Sequence, residues 1–299
     1  MSAARISADA ERPSARRVAV LRRRSSVLLG VAAVVLVTVS VLTVIDRRRS
    51  ERGETGRGGS DGELVAQPQL IANTWRALPI APIAERKSYA ATWALSDMLV
   101  WGGIANDQSH APLDDGAAYS PATNSWRVLP KSPLGPRSGS LSVWSGSEWF
   151  VLGGADRGNR LVDGAAYNPV TNRWRKIADL PFRVAGSSRA AWTGVGIVLW
   201  DGRDGQTAVY EPSANRWHIG ANSPEPPALF GDAVQIGVEF VTVGKSGLSF
   251  TIQAYNWMTN SWRTIASPPW DGPFGNAVVA NAGNELFIGG GGGRTGGNR

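Results

Sequence analysis

YSPATNSW (119–126), YNPVTNRW (167–174), YEPSANRW (210–217) and YNWMTNSW (255–262) are four copies of one eight-residue phrase. Tyr119, Tyr167, Tyr210 and Tyr255 open the copies, and Trp126, Trp174, Trp217 and Trp262 close them. Asn124, Asn172, Asn215 and Asn260 stand two places before each tryptophan, and Asn73 with Trp75 adds a partial fifth copy. Trp-to-Trp spacing is 51, 48, 43 and 45 residues. A fixed period in this range means one supersecondary unit repeated along the chain. It decides the fold while saying little about what the fold holds.

Pro121, Pro169 and Pro212 lie two places after their tyrosines. Proline pre-sets φ for a first turn corner, and asparagine tolerates the left-handed conformation that closes one. Each phrase therefore reads strand, tight turn, strand. A short strand continues from the tryptophan, as in WRALP (75–79), WRVLP (126–130) and WRKIA (174–178), and a loop follows. Then come two short apolar runs, for example YAATW (89–93) with MLVWGG (98–103), and SLSVW (140–144) with EWFVLGG (148–154). Runs rich in valine, leucine and tryptophan, bounded by glycine and polar turns, are strands. Being apolar almost throughout, they are expected to be buried on both faces. The unit is four antiparallel strands, A to D, with tyrosine on C and tryptophan on D. Four-stranded units of this length are propeller blades.

The chain resembles the kelch-repeat β-propellers, the fold also seen in the central domain of galactose oxidase. The resemblance rests on a glycine pair after strand B, then the tyrosine and tryptophan. The pairs are Gly102 with Gly103, Gly153 with Gly154 and Gly289 with Gly290, degenerate as Asp201 with Gly202 and Val243 with Gly244. It covers residues 63–299. The expected fold class is all-β, about five blades preceded by one transmembrane helix. Strands A and B of the last blade are expected at 276–290, with ELVAQPQLI (63–71) and the Trp75 strand completing it. The rival is a propeller of six or more blades cut short at residue 299.

Residues 27–45, VLLGVAAVVLVTVSVLTVI, carry no charge. As a helix they span about 28 Å, close to the ~30 Å hydrocarbon core. A cleaved signal peptide would have a shorter apolar core and a small-x-small site after it. An uncleaved anchor fits better. The expected layout is a basic cytoplasmic tail (1–26), a transmembrane helix (27–45), a flexible stalk (46–62) and the propeller (63–299). Seven arginines before the apolar run and five just after it favour an inside N-terminus and an extracytoplasmic propeller. The formal charge of +7 resides wholly in residues 1–60, leaving the remainder neutral. The high pI therefore belongs to membrane flanks facing anionic headgroups and gives no reason to expect nucleic-acid binding. Arginine outnumbers lysine 27 to 4, as in GC-rich, bacterial coding. The chain has no cysteine, which excludes disulfides, Cys-ligated metals and a cysteine nucleophile.

Two groups are candidates for a site. Asp107, His110, Asp114 and Asp115 fall within nine residues of one B–C loop. Oxygen ligands with one imidazole suit a metal, although the spacing meets no rule and a solvated polar loop is the plainer reading. In some kelch propellers the D–A loops carry arginines that line the ligand pocket. That resemblance implies ligand contacts for Arg86 and Arg137, each seven residues before a strand-A tryptophan, and for Arg183 in a similar, longer-spaced place. Such arginines pair bidentately with carboxylate or phosphate. Their competing role is to cap loop carbonyls or stack on tryptophan. Of the 13 tryptophans, most sit at repeat positions and read as packing; Trp257 and Trp270 do not.

Copper radical oxidase chemistry on this fold needs a tyrosine–cysteine crosslink and two histidine ligands, and is excluded by the missing cysteine. His110 and His218, the only histidines, lie in no nucleophile motif. No cofactor is expected. The leading expectation is a membrane-anchored module binding a protein or carbohydrate partner on the propeller loop face. The alternative is a carbohydrate-active enzyme, of sugar-acid epimerase or lyase type, using Arg86, Arg137 and Asp115.

Overall fold

The structure, a computed structural model, describes residues 19–22, 77–184, 186–224, 232–246, 249–266, 277–282 and 285–290. By internal contacts the chain divides into one unit of Met1–Arg23 with Leu78–Arg299 and a second of Arg24–Ala77. All the strands belong to the first. The expected anchor, the stalk, the 63–71 strand, Trp75 and Trp270 lie outside the described residues. Among the described residues no helix is long and apolar enough to cross a membrane.

The described unit is all-β. In chain order β1 is Ala19–Arg22, β2 Arg86–Lys87, β3 Ala90–Ala94, β4 Asp97–Trp101, β5 Ile104–Ala105, β6 Gly116–Ser120 and β7 Ser125–Val128. Next come β8 Leu141–Trp144, β9 Trp149–Leu152, β10 Ala155–Asp156, β11 Asn159–Arg160, β12 Gly164–Asn168 and β13 Arg173–Lys176. The third set is β14 Ser188–Trp192, β15 Ile197–Asp201, β16 Thr207–Glu211 and β17 Arg216–Ile219. Then follow β18 Asp232–Ile236, β19 Glu239–Ser246, β20 Ser249–Asn256, β21 Ser261–Ile265, β22 Ala277–Ala282 and β23 Glu285–Gly290. Four sheets are four-stranded and antiparallel in simple meander order: β3-β4-β6-β7, β8-β9-β12-β13, β14-β15-β16-β17 and β18-β19-β20-β21. These are the first to fourth blades. The innermost strands β3, β8, β14, β18 and β22 pack each against the next. Successive blades joined through their first strands define a β-propeller-like arrangement.

The eight-residue phrase builds the C–D hairpin as expected. Tyr119, Tyr167, Tyr210 and Tyr255 pair across the ladder with Trp126, Trp174, Trp217 and Trp262. Ring centroids in the four pairs lie 5.0–5.2 Å apart. Asn124, Asn172, Asn215 and Asn260 all take positive φ, between 48 and 56°. Each tyrosine hydroxyl donates to the Oδ1 of its hairpin asparagine at 2.7–2.8 Å. The asparagine thus closes the turn and satisfies a phenol facing the seam between blades.

Strand alternation sends one side of every blade toward its predecessor and the other toward its successor. Leu99, Trp101 and Ala118 of the first blade meet Trp149, Val151 and Tyr167 of the second. Phe150, Leu152 and Ala166 of the second meet Ile197, Leu199 and Tyr210 of the third. Val198 and Trp200 of the third meet Phe240 and Tyr255 of the fourth, and Val241, Val243 and Ile252 of the fourth meet Val279, Leu286 and Ile288. Hydrophobic burial on both sides, at about 1.5–3 kcal/mol per large side chain, is what holds blade to blade.

The last sheet departs from expectation. Its order is β1-β23-β22, with Ala19–Arg22 paired to Glu285–Ile288; the 63–71 strand expected to complete this blade lies outside the described residues. An uncovered strand edge is a row of free donors and acceptors, and a short apolar segment such as AVLR satisfies it.

Candidate functional site: the loop face

In a four-stranded meander the B–C and D–A loops emerge on the same side. Arg86, on a D–A loop, and Ile104–Ala105, on a B–C loop, are joined there by the β2–β5 ladder. Ser138 bridges Ala155 in the second blade in the same way.

Arg86 and Arg137 occupy equivalent seats on this face and do equivalent things. Arg86 Nη1 and Nη2 meet the two Asp115 carboxylate oxygens at 2.8 and 3.2 Å, and Nη1 also reaches Gly102 O at 3.1 Å. Arg137 meets Asp163 at 2.6 and 2.8 Å and Gly153 O at 3.2 Å. Both Nε atoms donate to loop carbonyls, Ala84 O and Gly135 O. The Arg86 and Arg137 side chains are only 4% and 2% exposed. Bidentate pairing and burial are the geometry a ligand carboxylate was expected to receive, and the chain's own carboxylates receive it instead. The Arg137 hydrogen bond holds the Asp163 carboxyl below its ordinary range against the opposing effect of burial.

The glycine pairs make room for this arrangement. Gly153 and Gly154 have φ of +57 and +97°, and Gly102 and Gly103 have φ of +66 and +101°. A Cβ on Gly153 would sit 2.3 Å from Val184 Cγ2, and one on Gly154 2.8 Å from Ser138 O. A Cβ on Gly103 would sit 2.7 Å from Lys87 O. Strand B must end in a left-handed turn pressed against the D–A loop, and only glycine allows both. Gly103 has a structural part of its own. It lies outside β4, and its N–H donates to Arg137 O at 2.8 Å, so it also ties the first blade to the loop carrying the second arginine.

The four residues of the acidic loop do not converge. Asp107 Oδ1 accepts from Ser109 N and Oγ at 2.9 and 2.6 Å, and the Ser109 hydroxyl lowers its carboxyl below the usual value. His110 has φ +46°, with Nδ1 3.4 Å from Gln108 O. Asp114 pairs with Lys131, and Asp115 with Arg86. Among the described residues no three His, Cys, Asp or Glu side chains gather as a metal site. Arg183 Nη1 donates to Arg160 O at 2.9 Å, beside the β10–β11 hairpin, and no carboxylate pairs with it among the described residues. Among the described residues Arg183, like Asp107 and His110, makes hydrogen bonds but no ion pair.

A second set of arginines was not foreseen. Arg175 pairs bidentately with Glu148 at 2.8 and 2.7 Å, and Arg263 with Glu239 at 2.9 and 2.7 Å. Arg127 reaches Asp97 at 3.4 Å and Tyr167 Oη of the next blade at 3.1 Å. All three directly follow a strand-D tryptophan, and their acids open strand B. That regularity was the available signal. In the third blade the two seats hold His218 and Gly196, and His218 turns instead to Glu211 at 3.2 Å. Trp257 is half-buried and packs into the third–fourth seam, whereas Trp93 is 56% exposed.

No family model matches the chain, and no curated protein matches it. The fold is similar to the solved structure of YjhT, at 17% identity and TM-score 0.51 over 70% of this chain and 74% of that one. At that identity the likeness shows a β-propeller-like fold and nothing of activity.

Proposed function

We propose that the chain is a kelch-type propeller, anchored in the membrane through residues 27–45, that binds a protein or carbohydrate partner outside the cytoplasm through its loop face. One observation carries the reading. The arginines best placed to grip an anionic substrate, Arg86 and Arg137, are neutralised by Asp115 and Asp163, while Arg157, Asn159, Arg183, Arg203 and Asp204 stand exposed on B–C and D–A loops. A face whose strongest charges hold its own loops in shape, and whose remaining polar groups point outward, suits recognition of a surface. Sugar-acid chemistry would need Arg86 or Arg137 to exchange an internal carboxylate for the substrate's.

Kelch-type closure at five blades belongs to the same proposal. Trp126 Nε1 donates to Pro79 O at 2.9 Å, just as Trp174, Trp217 and Trp262 donate to Pro130, Ala178 and Ala221. Those three acceptors each lie four residues beyond the tryptophan of the preceding blade, and Pro79 lies four beyond Trp75. Pro79 therefore accepts at the same offset from Trp75 as the other three acceptors from their tryptophans, which supports a strand D around Trp75.

The test uses the full chain in nanodiscs against an array of neutral and acidic oligosaccharides and against surface proteins crosslinked in intact cells. Binding that is lost in Arg157→Glu/Arg183→Glu and kept in Val170→Glu, on a C–D turn, is expected. Turnover of a sugar acid or lactone by the same preparation would overturn the reading.

A further inference from the structure

Six buried side-chain polar atoms have no hydrogen-bond partner among the described residues: Trp101 Nε1, Trp200 Nε1, Thr207 Oγ1, Gln235 Oε1, Gln253 Oε1 and Trp257 Nε1. Their distribution is uneven. Trp200 and Trp257 belong to the cluster between the third and fourth blades. Thr207 lies two residues from Val209 on β16, Gln253 two from Tyr255 on β20, and Gln235 two from Ala233 on β18; those three neighbours are members of the same cluster. Residues two apart on a strand share a face. Five of the six atoms therefore enter one seam.

Three of them lie toward the loop end. Trp200 and Thr207 are cross-strand partners on the side of the third blade that faces the fourth. Gln253 is the cross-strand partner of Thr242, on the side of the fourth blade that faces the third. Thr207 is 0% exposed and Trp200 and Gln253 are each 3% exposed. The corresponding seats in the other seams are apolar apart from one indole. Between the first and second blades they hold Trp101, Gly116, Val151 and Ala165, and between the second and third Leu152, Gly164, Leu199 and Ala208. Among these three seams only the third–fourth adds a hydroxyl and an amide to the indole.

Leaving such atoms unmade costs about 1–3 kcal/mol each, a large share of a domain's total stability. Their chemistry identifies what satisfies them. The indole N–H only donates, the amide oxygen only accepts, and the hydroxyl does either. A donor, an acceptor and a hydroxyl together match a neutral molecule that both donates and accepts, and not an ion of either sign. We propose that the third–fourth seam binds a structural water, accepting from Trp200 Nε1 and donating to Gln253 Oε1, with Thr207 Oγ1 as its third partner. Three partners are the usual complement of a buried water. The site is built into the fold, apart from the loop face, and does not depend on the identity of any partner bound there.

The test reads the full-length chain with ¹⁵N-labelled tryptophan indoles. The Trp200 indole resonance is assigned by its loss in Trp200→Phe. A water cross-peak to that proton, of the sign given by a long-lived water, is expected. Thr207→Val, which keeps shape and removes one partner, is expected to weaken the cross-peak and lower the urea midpoint. A Trp200 indole with no cross-peak would overturn the proposal. So would a raised midpoint in Thr207→Val, the result expected from removing an orphan hydroxyl out of a dry seam.

Discussion

Asp163 and Arg137 show how one residue's surroundings decide between binding and bracing. Two equivalent arginines on the loop face were legible in the sequence, and so were their partners. Asp115 and Asp163 each stand four residues before their strand-C tyrosines. At the corresponding offsets in sequence the third repeat has Ala185 and Gln206 and the fourth Ala228 and Thr251. Arginine and aspartate occur together or not at all, which marks an internal pair. Alignment on tryptophan alone compares arginine with arginine and leaves the aspartates uncompared, so the guanidinium reads as free. Removing the carboxylate strands a buried charge, and Asp163→Asn is expected to cost about 3–5 kcal/mol at neutral pH by urea denaturation. The carboxyl is held below its ordinary value, so its stabilisation is present above the unfolded pKa of about 3.9 and is lost as pH falls through the folded value. The gap between wild type and Asp163→Asn should accordingly narrow below about pH 4. A gap unchanged at pH 3 would show that the charge on Asp163 is not what Arg137 requires.

The C–D hairpin is the element the sequence specifies most fully. Proline, left-handed asparagine and an aromatic on each strand are local requirements, and all are satisfied within eight residues. What the phrase does not disclose is that its tryptophan belongs to two blades at once. Trp174 packs on Tyr167 of its own hairpin, with centroids 5.0 Å apart, and on Trp101 of the preceding blade at 6.0 Å. Its indole N–H also reaches Pro130 O, between those blades, at 3.1 Å. Which neighbour a strand faces is set by blade docking, and no period along the chain records it. The same blindness hid the polar third–fourth seam, where Thr207 and Gln253 read as ordinary strand residues. Trp174→Phe removes the N–H donor with part of the ring, leaving Pro130 O without this bond. It is expected to destabilise by about 1–3 kcal/mol, against about 3–5 kcal/mol for Trp174→Ala. Equal losses in the two variants, measured by chemical denaturation, would mean that ring volume contributes little and the hydrogen bond nearly everything.

At the scale of the whole molecule, two placements compete for one strand edge. Ala19–Arg22 pairs with β23, aligning Leu21 with Leu286. Those residues precede the apolar run 27–45. If that run spans a membrane and the propeller lies beyond it, residue 21 and residue 286 are on opposite sides, some 30 Å of hydrocarbon apart. The β1–β23 ladder and the anchor therefore exclude each other. If the anchor holds, that edge of β23 is expected to fall to 63–71, the segment the sequence assigns to the last blade. The absence of native cysteine makes the alternatives directly readable. Leu21→Cys/Leu286→Cys places two thiols on facing residues of an antiparallel ladder, within the Cα separation a disulfide accepts. Oxidation of the full chain in membrane vesicles is expected to leave that pair open. Single cysteines scanned through 63–71 against Leu286→Cys are expected to close in alternate positions, as a strand's two faces require. Closure of the Leu21→Cys/Leu286→Cys pair in vesicles would place the N-terminal strand and the propeller on one side of the bilayer, and would remove the anchor from the proposed function while leaving the blades intact.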